Sequence, residues 1–167
     1  AGGGEATEGP CVTLSWVQDG AEHQLRARRV VLALPPRVAE ATLQFEPPLS
    51  AALVDALRGT PTWMATAAKA AMAFERAVWR QAGHSGNAWV THPQAVLSEV
   101  FDAGTPGQGE ALAGFLALGV QARQQFQRSL DLLTRNQLGQ LFGPAAEDGD
   151  LHLQDWALEP PTCSPLD

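Results

Sequence analysis

Apolar positions change their period several times along this chain, and each change marks a predicted element. Near the N-terminus, "CVTLSWV" (11–17) alternates Val12, Leu14 and Trp16 with polar residues, and after the turn "QDGAE" a second run, "HQLRARRVVLAL", ends in a dense apolar segment. Two such runs around a Gly-containing turn predict a β-hairpin whose second strand is buried. "PPR" at 35–37 stops that strand, because proline has no N–H to give to a ladder. The next segment, "PPLSAALVDALRG" (47–59), opens on prolines, offers Ser50 as an N-cap, spaces its leucines at helical intervals and closes on glycine. It predicts a short helix.

In the second half, "NAWVTHP", "AVLSEVFDAG" and "EALAGFLALG" are short β-like runs punctuated by Pro and Gly. "QARQQFQRSLDLLTRNQLGQLFG" then carries apolar residues at helical spacing up to Gly143, and "LHLQDW" (151–156) is a last alternating strand. Strands in a block with helices grouped behind them predict the α+β class, a mixed or antiparallel sheet with helices packed on one side.

Between these halves lies "TPTWMATAAKAAMAFERAVWRQAGHSG" (60–86), where one lysine, Lys69, is flanked by alanines. Local propensity predicts a helix, with Met64, Ala68 and Met72 at i, i+4 and i+8. A strand would instead put Lys69 on one face with Ala67, Ala71 and Ala73, and Thr66, Met72 and Phe74 on the other. The helix leaves a solvated lysine on an ordinary surface. The strand leaves a shallow alanine floor around one ammonium, a seat for a flat ligand. Composition alone favours the helix.

The chain's 167 residues, 45% hydrophobic and 17% charged, are enough for one globular domain or one and a fraction. No run approaches the roughly 18 apolar residues of a membrane span, and no signal peptide opens the chain. A net charge of -7, with "RARR" (26–29) as its one basic cluster, argues against nucleic acid as a partner. Cys11 and Cys163 lie far apart with no Cys/His grouping, which gives no zinc site and no disulfide framework. A reducing cytoplasm fits this usage. The opening "AGGG" and the ending "PPTCSPLD" create the expectation of a piece of something longer.

Four segments in order, "ARRVVLALPPRVAEATLQFEPPLSAAL", "PTWMATAAKAAMAFERAVWRQAGHSG", "FDAGTPGQGEALAGFLALG" and "DWALEPPT", resemble the middle and late parts of flavin-containing monoamine oxidases, from about Arg26 onward. In that family a strand ending in A-x-P-P leaves the FAD domain for the substrate domain, and F-x-P-P-L starts a helix. A lysine follows on a strand of the substrate-domain sheet, ten residues before a Trp-Arg pair. Lys69 and Trp79-Arg80 match that spacing.

The resemblance implies that residues 1–36 are a hairpin at the edge of an FAD-binding domain, 37–155 a substrate-binding domain, and 156–167 the start of the return. It implies that Lys69 holds a water near the flavin N5, the atom that accepts hydride from the amine carbon. Trp156 matches a family tryptophan close to the flavin ring, and Ala33-Leu34-Pro35 with Pro36 the segment beside the cofactor. Each also has a plain reading, a core aromatic at a strand end for Trp156 and strand termination by proline for the other. The implied protein is a soluble, cytoplasmic, bacterial-type oxidase that binds FAD noncovalently, takes a small-molecule amine or amino acid and is compatible with a homodimer.

Departures from the family pattern matter equally. The GxGxxG turn that binds the FAD pyrophosphate is missing, since Gly107-Gln108-Gly109 has Leu112 where the third glycine belongs. The chain alone is therefore expected to bind no FAD. Cys163 is out of register with the cysteine that carries covalent flavin in some members, and Pro165 stands near the expected place. "GHSGN" (83–87) is one residue short of G-x-S-x-G, which makes a serine hydrolase around Ser85 an alternative, with His92 or His152 in a triad. That elbow needs strand, turn and helix, so Ser85 reads better as a loop residue. His23, His84, His92 and His152 have no ligand spacing. A non-catalytic interaction module is the third class.

Overall fold

A computed structural model of the chain describes residues 10–105, 107–163 and 167. They pack as two compact units, the first running to Arg58 and the second starting at Gly59.

The first unit opens with a two-stranded antiparallel hairpin, β1 (Val12–Gln18) and β2 (Ala21–Ala27). Asp19 and Gly20 turn it with φ of 52° and 78°, the left-handed pair that matches the twist of the flanking strands. The expectation that the second strand continues into a buried apolar segment is corrected here. Ala27 pairs with Val12, the first residue of β1, so the ladder ends there. Val31 is 89% exposed and Leu32 and Leu34 are exposed too, because no strand among the described residues meets their backbone. Two helices follow. α1 (Pro36–Thr42) takes Pro36 in its first turn, where the missing N–H is harmless. In α2 (Ala51–Arg58) the Ser50 hydroxyl accepts from the Leu53 N–H at 3.4 Å, as the N-cap reading expects.

The second unit is built on one antiparallel sheet in the order β4-β5-β6-β3-β7. Its strands are β3 (Ala68–Phe74), β4 (Ala88–Trp89), β5 (Leu97–Asp102), β6 (Glu110–Leu116) and β7 (Asp150–Asp155). Helices α3 (Val78–Gln81), α4 (Val120–Gln125) and α5 (Leu130–Phe142) connect them. One core forms on one face of the sheet. Ala70, Met72, Val100 and Leu112 from the strands meet Trp79 of α3 and Leu138 and Phe142 of α5. The Gln137 side chain fixes α5 to the edge of β5 by accepting from Val96 and Leu97 N–H and donating to Leu97 C=O, as a neighbouring strand would.

The segment with the strongest helix propensity is a strand. β3 lies between β6 and β7, so its N–H and C=O groups pair on both sides, and Ala68, Ala70 and Met72 are buried while Lys69, Ala71 and Ala73 are exposed. Tertiary pairing overrides the few tenths of a kcal/mol per residue by which alanine prefers a helix. The strand begins at Ala68, after a tight turn in which Met64 has a φ of 59° and accepts from the Ala67 N–H. Met64 therefore turns the chain instead of continuing a helical stripe.

Candidate functional site

Cross-strand register builds the open face of the sheet. Residues directly opposite in an antiparallel pair share a face, so Lys69 on β3 stands beside Phe115 on β6 and Gln154 on β7, and Phe115 beside Glu99 on β5. The next row holds Phe101, Ala113, Ala71 and His152, and the row after it Ala111, Ala73 and Asp150. Four alanines thus floor the middle of the face, and Lys69 is its one cation among the described residues of these rows.

Lys69 is held by rings. Its Nζ lies 4.6 Å from the centroid of Phe115 and 5.7 Å from that of Trp156, both within cation–π range. Trp156 begins a short 3-10 turn (Trp156–Leu158) just after β7, and its N–H donates to Ala67 C=O at 3.1 Å, which anchors it at the start of β3. Lys69 and Trp156 line one cleft of about 250 Å³ together with Trp63, Met64, Ala67 and Thr162. The two residues singled out in the sequence for one ligand are thus brought together. Ala33, Leu34 and Pro35 belong to the first unit, where Pro35 C=O accepts from Val38 and Ala39 N–H and starts α1.

Sequence reasoning missed the group that fixes this end of the sheet. Arg123 on α4 is buried at 3% exposure, and its guanidinium grips Asp155 bidentately, with two N–H···O distances of 2.7 Å. It also donates to Leu118 C=O at 2.6 Å and Thr66 C=O at 2.8 Å. One side chain thereby joins the segment before β3, the segment after β6 and the end of β7. Asp155 in turn accepts from the Ala157 N–H, which shapes the turn that carries Trp156. An arginine 32 residues from its carboxylate leaves no pattern in the sequence.

At the opposite end, the sequence-matched Trp79-Arg80 pair is an anchor. The Trp79 indole and two guanidinium nitrogens of Arg80 donate to Asp102, and Arg80 also reaches Glu110 at 2.7 Å. Burial acts to raise the Asp102 pKa, but the Trp79 and Arg80 hydrogen bonds, the Gly104 N–H and the arginine charge together hold it below the ordinary aspartate value. Gly86 is packed under Trp79, and a Cβ there would stand 2.7 Å from the indole nitrogen.

Ser85 lies exposed in the loop between α3 and β4, its hydroxyl accepting from the Asn87 N–H, with no helix following it. The nucleophile elbow is absent, as the loop reading expects. The His84 ring packs against Phe142, and His92 Nδ1 accepts from the Gln94 N–H. Gly107 to Gly109 form part of the turn between β5 and β6. Cys163 is half-buried, and Pro165 lies outside the described residues. Among the described residues no helix is long and apolar enough to cross a membrane, and no His/Cys/Asp/Glu group could hold a metal.

Comparison with known proteins finds the same fold elsewhere. Solved structures of putrescine oxidase match the fold. One, from a structure-based redesign of its cofactor binding, has a TM-score of 0.65 and 24% identity over 89% of this chain and 32% of that chain. Another, bound to putrescine, has a TM-score of 0.62 and 24% identity, covering 83% of this chain and 31% of that chain. Cyclohexylamine oxidase from Brevibacterium oxydans matches with a TM-score of 0.57 and 24% identity, covering 84% of this chain and 31% of that chain. The chain spans about a third of the length of these proteins. No curated protein sequence matches it. The family model described as flavin containing amine oxidoreductase matches residues 7–162, nearly the whole sequence, and the chain belongs to that family.

Proposed function

We propose that this chain supplies the substrate-side part of a flavin-dependent oxidase that converts a primary amine to an imine. In this reading residues 37–155 are the substrate-binding domain, 1–36 the edge of the FAD-binding domain and 156–167 the return to it. The observation that carries it is the Lys69 ammonium, set on an alanine-floored strand face and held between the Phe115 and Trp156 rings at the mouth of a cleft.

These residues fit the ring end of FAD. Small alanine side chains let a flat ring approach the sheet, Trp156 offers an aromatic edge, and Lys69 is a hydrogen-bond donor beside both. Ala33, Leu34 and Pro35 would run alongside the cofactor. The described residues do not fit the pyrophosphate, which calls for a glycine-rich turn at a helix N-terminus.

FAD bound there would supply a hydride acceptor for the amine α-carbon and a route for the two electrons to dioxygen, which would leave as hydrogen peroxide. The chain's own residues orient, exclude water and place charge. The ammonium of Lys69 would hold one water by a charge-assisted hydrogen bond and supply a fixed positive charge to the negative charge that develops on dioxygen. Phe115 and Trp156 hold the Lys69 ammonium over the sheet face by cation–π contact. The imine then takes up water, giving a carbonyl compound and ammonia.

The experiment is amine-dependent bleaching of flavin absorbance under anaerobic conditions in the flavin-loaded full-length protein, followed by peroxide release on admitting air. Bleaching by one or more primary amines is expected, and a flavin that no amine reduces would overturn the reading. The 167-residue chain alone is expected to leave titrated FAD fluorescent, with affinity no tighter than about millimolar, since ring contacts must offset the entropy of fixing a long dinucleotide. Quenched flavin retained after desalting would contradict that expectation.

A further inference from the structure

We infer that Arg123 is a positioning residue for the flavin chemistry, one guanidinium that fixes the place of all three members of the Lys69 cluster. The inference rests on the proposed role of Lys69 and names the group through which the fold sets its ammonium.

Lys69, Phe115 and Trp156 come from three segments, and each stands close in sequence to a point that Arg123 holds. Thr66, whose C=O accepts from Arg123 at 2.8 Å, lies three residues before Lys69. Leu118, whose C=O accepts at 2.6 Å, lies three residues after Phe115. Asp155, gripped by two bonds of 2.7 Å, directly precedes Trp156. These bonds go to two carbonyl oxygens and a carboxylate and to none of the three side chains, so Arg123 acts on the ammonium only through the backbone that carries it.

The ladders do not hold this end of the sheet by themselves. Lys69–Phe115 is the last pair of the β3–β6 ladder and Ala68–Asp155 the last of the β3–β7 ladder, both at the same end. A terminal pair has a neighbour on one side only and opens more readily than a pair inside the sheet. Beyond it the chain leaves through the turn before β3, the bend after β6 and the turn after β7. The buried, planar fork of Arg123 ties these three exits together at one fixed geometry. The Trp156 N–H on Ala67 C=O adds a direct link between two of them. Such rigidity matters for the chemistry, because a charge stabilises a developing charge only when it is already in place.

In the flavin-loaded full-length protein, stopped-flow absorbance follows amine-driven flavin reduction without oxygen and, separately, reoxidation by dioxygen. Wild type is compared with Arg123→Lys, Lys69→Met and the double variant. Lysine keeps a cation but loses the fork. Arg123→Lys is expected to slow reoxidation by roughly three- to tenfold and to leave flavin reduction within about twofold of wild type. The double variant decides the matter. Once Lys69 is gone, adding Arg123→Lys should slow reoxidation by less than about twofold more, since the group it positions is absent. Asp155→Asn weakens the fork from its other side, should give the same pattern, and is read in place of Arg123→Lys if that protein does not fold. Arg80→Lys, at the opposite end of the sheet, should leave both half-reactions unchanged. Wild-type reoxidation in the fork variants, a fully multiplicative loss in the double variant, or an equal loss from Arg80→Lys would overturn the assignment of Arg123 while the oxidase reading stood. Lys69→Met at the wild-type rate would remove the role that Arg123 serves and overturn the inference with it. A flavin that no amine reduces would overturn the oxidase reading as well.

Discussion

The two ends of the five-stranded sheet carry the same chemical device, an arginine forked onto an aspartate, in different surroundings. At the Trp79 end, the Arg80 side chain is 34% exposed and its partners Asp102 and Glu110 close the turn between neighbouring strands β5 and β6. At the Lys69 end, Arg123 is 4% exposed at its side chain and draws together three segments that are distant in sequence. The more exposed fork secures a local turn that the ladder already favours. The buried fork positions Trp156 and the start of β3, so the geometry of the candidate site depends on it. Burial of the arginine sets the consequence of losing each, because Asp102 and Asp155 are equally exposed at 16% while water solvates Arg80 and hardly touches Arg123.

The sharpest way to break this comparison is to remove each arginine in turn. Arg123→Met leaves the Asp155 charge with the Ala157 N–H but no cation and takes a donor from two carbonyl oxygens, which should cost about 3–5 kcal/mol. Arg80→Met should cost clearly less. Urea denaturation of both variants checks the order, and a larger loss from Arg80→Met would show that the Lys69 end is held by something else.

The far end should next reveal itself through acid. The Asp102 pKa is depressed in the folded chain, so the unfolded state binds a proton more readily as pH falls. The stability that Asp102 contributes is therefore fully present above the ordinary aspartate pKa of about 4 and is lost as pH drops through its lower folded value. Asp102→Asn should flatten this acid limb of the stability curve while lowering stability at neutral pH. An unchanged slope would place the acid sensitivity elsewhere.

How much of this was legible in the sequence follows from what each feature needs. The hairpin, the Ser50 cap and the final strand are local, and their periods and turn residues gave them. Lys69, Trp156 and the Trp79-Arg80 pair stood out through spacing that resembles a known family. Part of the site stayed hidden because it is made by register between strands. The β3 alanines beside Lys69 were legible in a strand reading, but the floor also needs Ala111 and Ala113 of β6 to fall opposite Ala73 and Ala71. β3 itself misled propensity, since alanine's preference for helix is weaker than two flanking ladders. The exposed Val31, Leu32 and Leu34 misled in the other direction, as apolar character cannot supply a pairing strand.

The smallest effect on stability should come from the residue that matters most for function. Lys69→Met keeps the length of the side chain on an exposed strand position, and the unfolding free energy should move by no more than about 0.5 kcal/mol. The central claim, that this ammonium serves flavin chemistry, is tested most directly by stopped-flow reoxidation of the reduced full-length protein with dioxygen. If Lys69 holds water and charge beside the flavin, Lys69→Met should slow reoxidation by roughly tenfold or more, the effect of losing one preorganised donor. Reoxidation at the wild-type rate in a folded Lys69→Met protein would contradict the account.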